Sequence, residues 1–340
     1  MTLRRRLAQT ACRALLRMLP PEMQPWAHAV RHEVAQIPGD TAALFFGLDS
    51  LRGLAPYVVA PSRSSITGAA CAVGAVALGA VYLNVAGAPI HYARVNAAAL
   101  LIGLALLAFC AGAIRDPRRW AVVVTQITAL SLLATAFFGD QVEGAARWLK
   151  FGSFALQPSL VLLPMTIVGF VIIRDWRATT GMLVIAAALA LQPDRAMAGM
   201  LAASLAVLLA LRRDRHVMAA FAGSVFAFGV TLLRPETLPP APYVTGVLYV
   251  WSEVNAFAGL TVVSGSVLLL IPAITGMASS RGRRTVSAVH GASWLAAILA
   301  AALGNSPTPL VGYGASAVIG YVLSLAMLPP GGTPEAMRTS

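Results

Sequence analysis

The chain has 340 residues, of which 58% are hydrophobic and only 11% charged, with a formal net charge of +12. Soluble domains carry roughly 45–50% apolar and about 25% charged residues, so this balance excludes an ordinary cytoplasmic enzyme and a disordered chain. Three cysteines, Cys12, Cys71 and Cys110, form neither a disulfide framework nor a metal-ligand spacing.

The first 65 residues differ from the rest. Leu3–Met18, Glu22–Ile37 and Thr41–Leu54 read as short amphipathic helices, separated by Leu19-Pro20-Pro21 and Pro38-Gly39-Asp40. Arg4-Arg5-Arg6 resembles the charged start of a signal peptide, but Arg13 and Arg17 interrupt the apolar stretch that should follow. The segment 1–65 therefore reads as a basic, helical cytoplasmic head lying on the anionic inner leaflet. From Ile66 onward, apolar runs recur with short polar breaks, approaching the ~20 residues that a membrane-spanning helix needs. The spacing predicts ten spans, at 66–87, 95–114, 120–138, 158–173, 178–192, 195–211, 216–233, 254–277, 286–304 and 310–328. The predicted class is thus all-α: a polytopic membrane domain over 66–328 and a short cytoplasmic tail, 329–340. The fifth span reaches only about 22 Å and ends at the polar turn Gln192-Pro193-Asp194. It reads as a partial or tilted helix whose end faces protein or a water-filled cavity.

Arginine placement sets the orientation. With the N-terminus inside, 20 of the 25 Lys and Arg residues fall on inside segments, and Arg94, Arg147, Lys150, Arg195 and Arg234 fall outside. The inside segments also hold eight of the 13 acids, so the whole +12 is cytoplasmic and the outer face is neutral. The net charge is a topology signal, not the footprint of a nucleic acid, and both termini are expected in the cytoplasm.

Four outside-facing segments carry the polar chemistry. Gly139–Pro158 is too polar to span, and Trp148 beside Arg147 suits the headgroup level. The pair reads either as a loop anchor or as a phosphate or saccharide contact, with Arg147 as the cation and Trp148 as a stacking face. Asp194 and Arg195 open an apolar helix, where Asp194 serves either as an N-terminal cap or as a functional acid, with Arg147 or Arg195 as its ion partner. Arg234–Glu253 is stiffened by four prolines and holds two carboxylates, Glu236 and Glu253. Either could act as a base toward an acceptor hydroxyl. Asn305–Ser316 is rich in glycines and small residues that allow close helix approach. No nucleotide-binding loop, histidine cluster or nucleophile motif occurs, and nothing indicates a cofactor or a metal, a divalent cation included.

These four segments, in this order among ten helices, resemble the SEDS family (shape, elongation, division and sporulation; the FtsW/RodA/SpoVE group). After its third helix that family carries a loop of the form G-x-x-R-W-I-x-L-G-x-x-x-x-Q-P-S-E, matched here by Gly144, Arg147, Trp148, Gly152, Gln157, Pro158 and Ser159. Its Q-P-D turn matches Gln192, Pro193 and Asp194. The start of its L-P-E-x-H-T-D-F element matches Leu238 and Pro239, Glu253 falls on the second of its paired glutamates, and its last-helix motif matches Pro309, Tyr313, Gly314 and Ser316. The resemblance covers about residues 66–328. It implies a bacterial cytoplasmic-membrane protein handling a polyprenyl-pyrophosphate-linked saccharide, peptidoglycan precursor above all, together with a class B penicillin-binding protein. It implies Arg147, Trp148, Gln157, Asp194, Tyr313 and Ser316 as substrate-binding residues. The family's proposed catalytic aspartate, however, corresponds to Val244 here, the long outer loop before the eighth helix is mostly missing, and Leu160 and Leu163 stand where the family has Glu and Lys. Three functions fit: a divergent glycan polymerase using Glu236 or Glu253, a non-catalytic envelope scaffold, and a flippase for a lipid-linked substrate.

Overall fold

The computed structural model describes residues 5, 8–10, 12, 24–54, 63–114, 116–142, 144–152, 154–234, 241–249, 254–278, 281–303 and 306–329. It divides into two compact units, residues 1–61 with 106–115, and residues 62–105 with 116–340.

In the first unit, α1 (Gln24–Gln36) and α2 (Asp40–Leu54) flank the break at residues 37–39. The Arg5 guanidinium donates to the carbonyls of Val34, Ala35 and Ile37 and to the Asp40 carboxylate, at 3.4, 2.8, 2.7 and 3.3 Å. One cation thereby satisfies the exposed carbonyls at the end of α1 and pairs with the acid that opens α2. Ala8, Cys12, Val34 and Ala43 form the small core beneath it. Burial pushes the Cys12 thiol up, against a weaker opposing effect of Arg31, so it stays protonated and acts as a small hydrophobe.

The second unit is a helix bundle. Long apolar helices are α3 (Arg63–Val85), α4 (Ile90–Ala113, shared with the first unit), α5 (Pro117–Phe138), α9 (Arg215–Leu232) and α12 (Arg281–Ala302). Shorter ones are α6 (Pro158–Ile172), α7 (Trp176–Leu191), α8 (Arg195–Leu211) and α13 (Ala315–Ser324). The tenth predicted span is α10 (Ala256–Leu268) followed by α11 (Ile271–Met277). Six of these segments are long and apolar enough to cross a membrane and four are shorter apolar helices, which makes a polytopic helical membrane protein. Large apolar side chains such as Leu130, Phe138, Phe226, Leu260 and Leu299 are exposed on the outer helices, as lipid contact requires.

Local chemistry explains where the helices start. Asp116, Asp175, Asp194 and Asp214 each cap a helix, their carboxylates accepting backbone N–H groups of the first turn. Such caps satisfy donors that would otherwise be stranded at the apolar boundary. The span predicted as continuous over 254–277 breaks at Leu269–Leu270, because Pro272 lacks the N–H that would bond Leu268 and its ring crowds that carbonyl. The Tyr321 hydroxyl donates to the Leu269 carbonyl at 3.2 Å, so a buried partner compensates the break.

The short helices are tolerated because they are internal. α6 packs against α5, α8, α12 and α13, and almost all of α6 and all of α13 are buried. Neither has to reach both water boundaries by itself. Their crossing is very close: a Cβ on Gly320 would lie 1.9 Å from the Leu160 carbonyl oxygen and 2.9 Å from its carbon. Leu160 is four residues before Pro164, inside α6, so its carbonyl has lost its helical partner and is free for this approach. Buried hydroxyl pairs join further helices: Thr128 with Thr166 across α5 and α6, and Ser204 with Ser293 across α8 and α12.

Among the described residues, one element is a sheet. The loop 139–158, read from sequence as an interfacial segment, folds into a three-stranded antiparallel sheet, β1 (Asp140–Val142), β2 (Ala145–Phe151) and β3 (Phe154–Leu156). Gly144 and Gly152 sit in its two tight turns with φ of 79° and 61°, a conformation that favours glycine. β2 rests on α5 and α6.

Replacing Gly320 with Ala should lower the thermal midpoint and the folded yield in detergent, with a loss of roughly 1–3 kcal/mol from overpacking against a rigid backbone. Gly229→Ala, where a Cβ meets nothing within 4 Å, is the matched control and should be neutral or slightly stabilising.

Candidate functional site

The strand β2 delivers two adjacent residues to opposite faces, as the pleat requires. Trp148 faces a cavity of about 200 Å³. Arg147 is 5% exposed, and its guanidinium donates to the carbonyl of Pro193. The Arg–Trp pair that reads as one contact in the sequence is therefore split: the indole lines the cavity, and the cation ties the sheet to the turn between α7 and α8.

Behind the cavity wall lies a buried polar cluster built from the two Gln-Pro turns. Gln157 precedes α6, and its side-chain amide donates to Asp194 at 3.0 Å and to Ser159 at 3.2 Å. The Ser159 hydroxyl donates to the same Asp194 oxygen at 2.9 Å. The other carboxylate oxygen accepts the Met197 N–H, which starts α8. Asp194 is 1% exposed. Instead of the arginine partner suggested by the sequence, it takes three neutral donors, and its role is to join the starts of α6 and α8. Gln192 completes the group by donating to the Leu132 carbonyl at 2.6 Å, which anchors the end of α7 to α5.

The cavity is lined by Trp148, Gln157, Leu160, Val244, Pro307, Tyr313, Gly314 and Ser316, among others. The backbone N–H of Gln157 donates to the Ser316 hydroxyl at 3.0 Å, so the starts of α6 and α13 meet at its floor. Ser316 keeps its own proton to donate. Tyr313 is held from three directions. Its ring stacks on Tyr92 at 4.0 Å and 15°, its N–H donates to the Tyr243 carbonyl, and Asn96 grips the chain on either side of it, donating to Gly312 O and accepting from Gly314 N.

The fourth wall is the turn Ala241-Pro242-Tyr243-Val244, closed by Val244 N–H to the Ala241 carbonyl. Proline in second place and φ of 62° at Tyr243 describe a type II turn, whose third position favours glycine. Holding a tyrosine there costs on the order of 1–2 kcal/mol. Its ring lies 6.0 Å from Tyr92, edge-on, and the Val244 carbonyl accepts the Thr308 N–H at 3.1 Å. These contacts hold Val244 against the cavity.

Of the six predicted binding residues, Trp148, Gln157, Tyr313 and Ser316 thus converge on the cavity, while Arg147 and Asp194 brace it from behind. Glu236 and Glu253 lie outside the described residues. Three contributors had not been singled out: Tyr92, Asn96 and Tyr243. A polar Asn96 within an apolar run, four residues after Tyr92, is the signal that marks the first two. The lining offers aromatic faces, one amide and two hydroxyls, which suits a neutral, hydroxyl-rich group better than an anion. Among the described residues, the groups that could hold a metal form no cluster.

Asp194→Ala removes the α8 cap and strands the Gln157 and Ser159 donors. It should lower the thermal midpoint by an amount equivalent to roughly 2–4 kcal/mol, while Arg234→Ala on the exposed rim leaves it unchanged.

Comparisons place this geometry. No curated protein matches the chain. Among solved structures, the fold is similar to the Thermus thermophilus rod shape determining protein RodA, in wild-type form at 22% identity and TM-score 0.56 and in a mutant form at 23% and 0.58. In both cases the match covers 76% of this chain and 93% of that one. A third structure, reported for the structural coordination of polymerization and crosslinking by a peptidoglycan synthase complex, matches at 21% identity and TM-score 0.57, covering 76% of this chain and 94% of its own. The family model described as a cell cycle protein, FtsW/RodA/SpoVE, matches residues 68–237, half of the chain. The chain therefore belongs to the FtsW/RodA/SpoVE family of cell cycle proteins.

Proposed function

We infer that this chain works in the biogenesis of the bacterial cell wall, in the cytoplasmic membrane, by binding a polyprenyl-pyrophosphate-linked saccharide whose sugar enters the cavity between Trp148, Gln157, Tyr313 and Ser316. The observation that carries this reading is the convergence of those four side chains at the starts of α6 and α13. An indole face and neutral hydrogen-bonding groups match a pyranose, and the large apolar side chains exposed on the outer helices suit a polyprenyl chain. Glycosyl transfer on this substrate requires a base for the acceptor hydroxyl. Glu236 and Glu253 are the carboxylates that the adjoining segment can supply, which makes the chain a peptidoglycan polymerase-type glycosyltransferase. A class B penicillin-binding protein is the natural crosslinking partner, in keeping with the peptidoglycan synthase complex named for one structural relative. The arginine distribution supports an orientation with the cavity on the outer side and both termini in the cytoplasm.

A second reading has its own observation. Val244 lines the cavity where the family resemblance places the catalytic aspartate, and valine cannot accept a proton. On this reading the chain binds the precursor and serves as a scaffold for other envelope enzymes.

Purified protein incubated with lipid-linked disaccharide precursor separates the two. Binding should be measurable in wild type and about tenfold weaker in Trp148→Ala, the loss expected for one aromatic contact worth roughly 1.4 kcal/mol. Polymer formation abolished by Glu236→Gln with Glu253→Gln supports the enzyme. Binding without polymer, with polymer gained in Val244→Asp, supports the scaffold. No binding by wild type overturns both. For the orientation, a reporter active only in the cytoplasm should be active when fused after residue 338 and inactive when inserted at 150.

A further inference from the structure

At the end of α6 remote from the cavity, the starts of α5, α7 and α9 leave an open cleft of about 570 Å³. Its acids are already engaged. Asp214 accepts the Arg174 guanidinium at 2.9 Å and the N–H groups of His216 and Val217 at 3.0 Å each, and Asp175 accepts the Ala178 N–H at 2.8 Å. Arg174 also donates to the Val171 carbonyl, closing the end of α6. His216 is bonded to Thr179 at 2.9 Å.

Two cations remain. Arg118 and Arg215 line the cleft and are exposed. Among the described residues, the Arg118 guanidinium has no protein acceptor, and Arg215 uses only its Nε, at 3.4 Å, toward His216. Ile172 and Ile173 form an apolar floor beside them. On the rim, Trp176 is 67% exposed, and the Arg177 guanidinium lies 5.4 Å from its ring centre. An exposed indole under a cation is the arrangement found at headgroup depth, where one side is apolar and the other wet.

We propose that this cleft is a binding site for the headgroup of an anionic phospholipid. The phosphodiester sits between Arg118 and Arg215, and the first acyl carbons lie on Ile172 and Ile173. Charge complementarity selects the net-negative headgroup: with both acids engaged, the unused donors are guanidinium groups only, and a zwitterionic headgroup would bring its ammonium against them. A free phosphate ion has the same anionic oxygens but makes no use of the apolar floor. Because Arg174, Asp175 and Asp214 also close or open helices α6, α7 and α9, an occupant here would tie together the ends of three helices opposite the saccharide cavity.

The test is a thermal-unfolding titration of the full chain in neutral detergent with short-chain phosphatidylglycerol, phosphatidylcholine or inorganic phosphate. Phosphatidylglycerol should raise the midpoint saturably, and the other two should not. Arg118→Gln with Arg215→Gln should move half-saturation to roughly tenfold higher lipid, each single variant should move it by less, and Arg213→Gln, exposed at the same end but not lining the cleft, should titrate as wild type. Since neither arginine caps a helix, the lipid-free midpoint of the variants should equal that of wild type. An equal response to phosphatidylcholine or to inorganic phosphate overturns the proposal, as does a wild-type titration curve in the double variant and both singles.

Discussion

The approach of Gly320 to the Leu160 carbonyl is the contact on which the bundle is organised. It exists because two unrelated local features coincide. Pro164 deprives one carbonyl of α6 of its helical hydrogen bond, and glycine on α13 lets a backbone come close enough to cover it. From that crossing the rest of the inner structure follows by helical geometry. Three residues before Leu160 is Gln157, and four before Gly320 is Ser316, and these two are joined by a hydrogen bond at the cavity floor. The site is thus one turn away from a close backbone approach, which gives it a floor that side-chain motion alone cannot shift.

Around this centre, polar groups are used sparingly and in two layers. On the cavity side, Asp194, Gln157, Ser159 and Arg147 satisfy one another or backbone carbonyls, and present only neutral groups to the cavity. At the other end, Asp175 and Asp214 are satisfied by helix starts and by Arg174, and leave guanidinium groups facing outward. Both ends follow one rule: aspartates go where helices begin and take donors from the first turn, fully buried in the case of Asp194 and partly exposed in the cases of Asp175 and Asp214. The difference lies in what remains. One end retains hydroxyls and aromatic faces, the other retains positive charge. The two ends are suited to different ligands, a saccharide and an anionic headgroup, for this reason.

Strain is concentrated at the same cavity. Besides Pro193 in the turn that Arg147 contacts, Tyr243 and Leu310 adopt positive φ among the described non-glycine residues, and these two belong to the segments that flank Val244 and Tyr313. Each is held by neighbours: Tyr243 by its carbonyl bond to Tyr313 and its ring contact with Tyr92, and Leu310 by full burial. Strained backbone that the surroundings enforce is common where a fold presents a site.

How much of this was legible from the amino-acid order depends on the range of the interaction involved. The ten apolar segments, the breaks at Pro38-Gly39 and at the Gln192-Pro193-Asp194 turn, and the membrane class are all consequences of hydropathy and turn chemistry within a few residues, so the sequence alone determined them. Gly144 and Gly152 were legible as motif positions, but their cause, tight turns of a small sheet, was not, because a seven-residue strand with mixed polarity looks like an interfacial loop until its partners are known. Only the tertiary structure decided that Trp148 faces the cavity while its neighbour Arg147 faces Pro193, that Asp194 is sealed by Gln157 and Ser159 instead of an arginine, that the carbonyl left at the Pro272 break receives Tyr321, and that Tyr92, Asn96 and Tyr243 belong to the site at all. Each of these depends on which elements become neighbours across the bundle, and that is set by close approaches such as Gly320 on Leu160, whose two halves lie 160 residues apart in the chain.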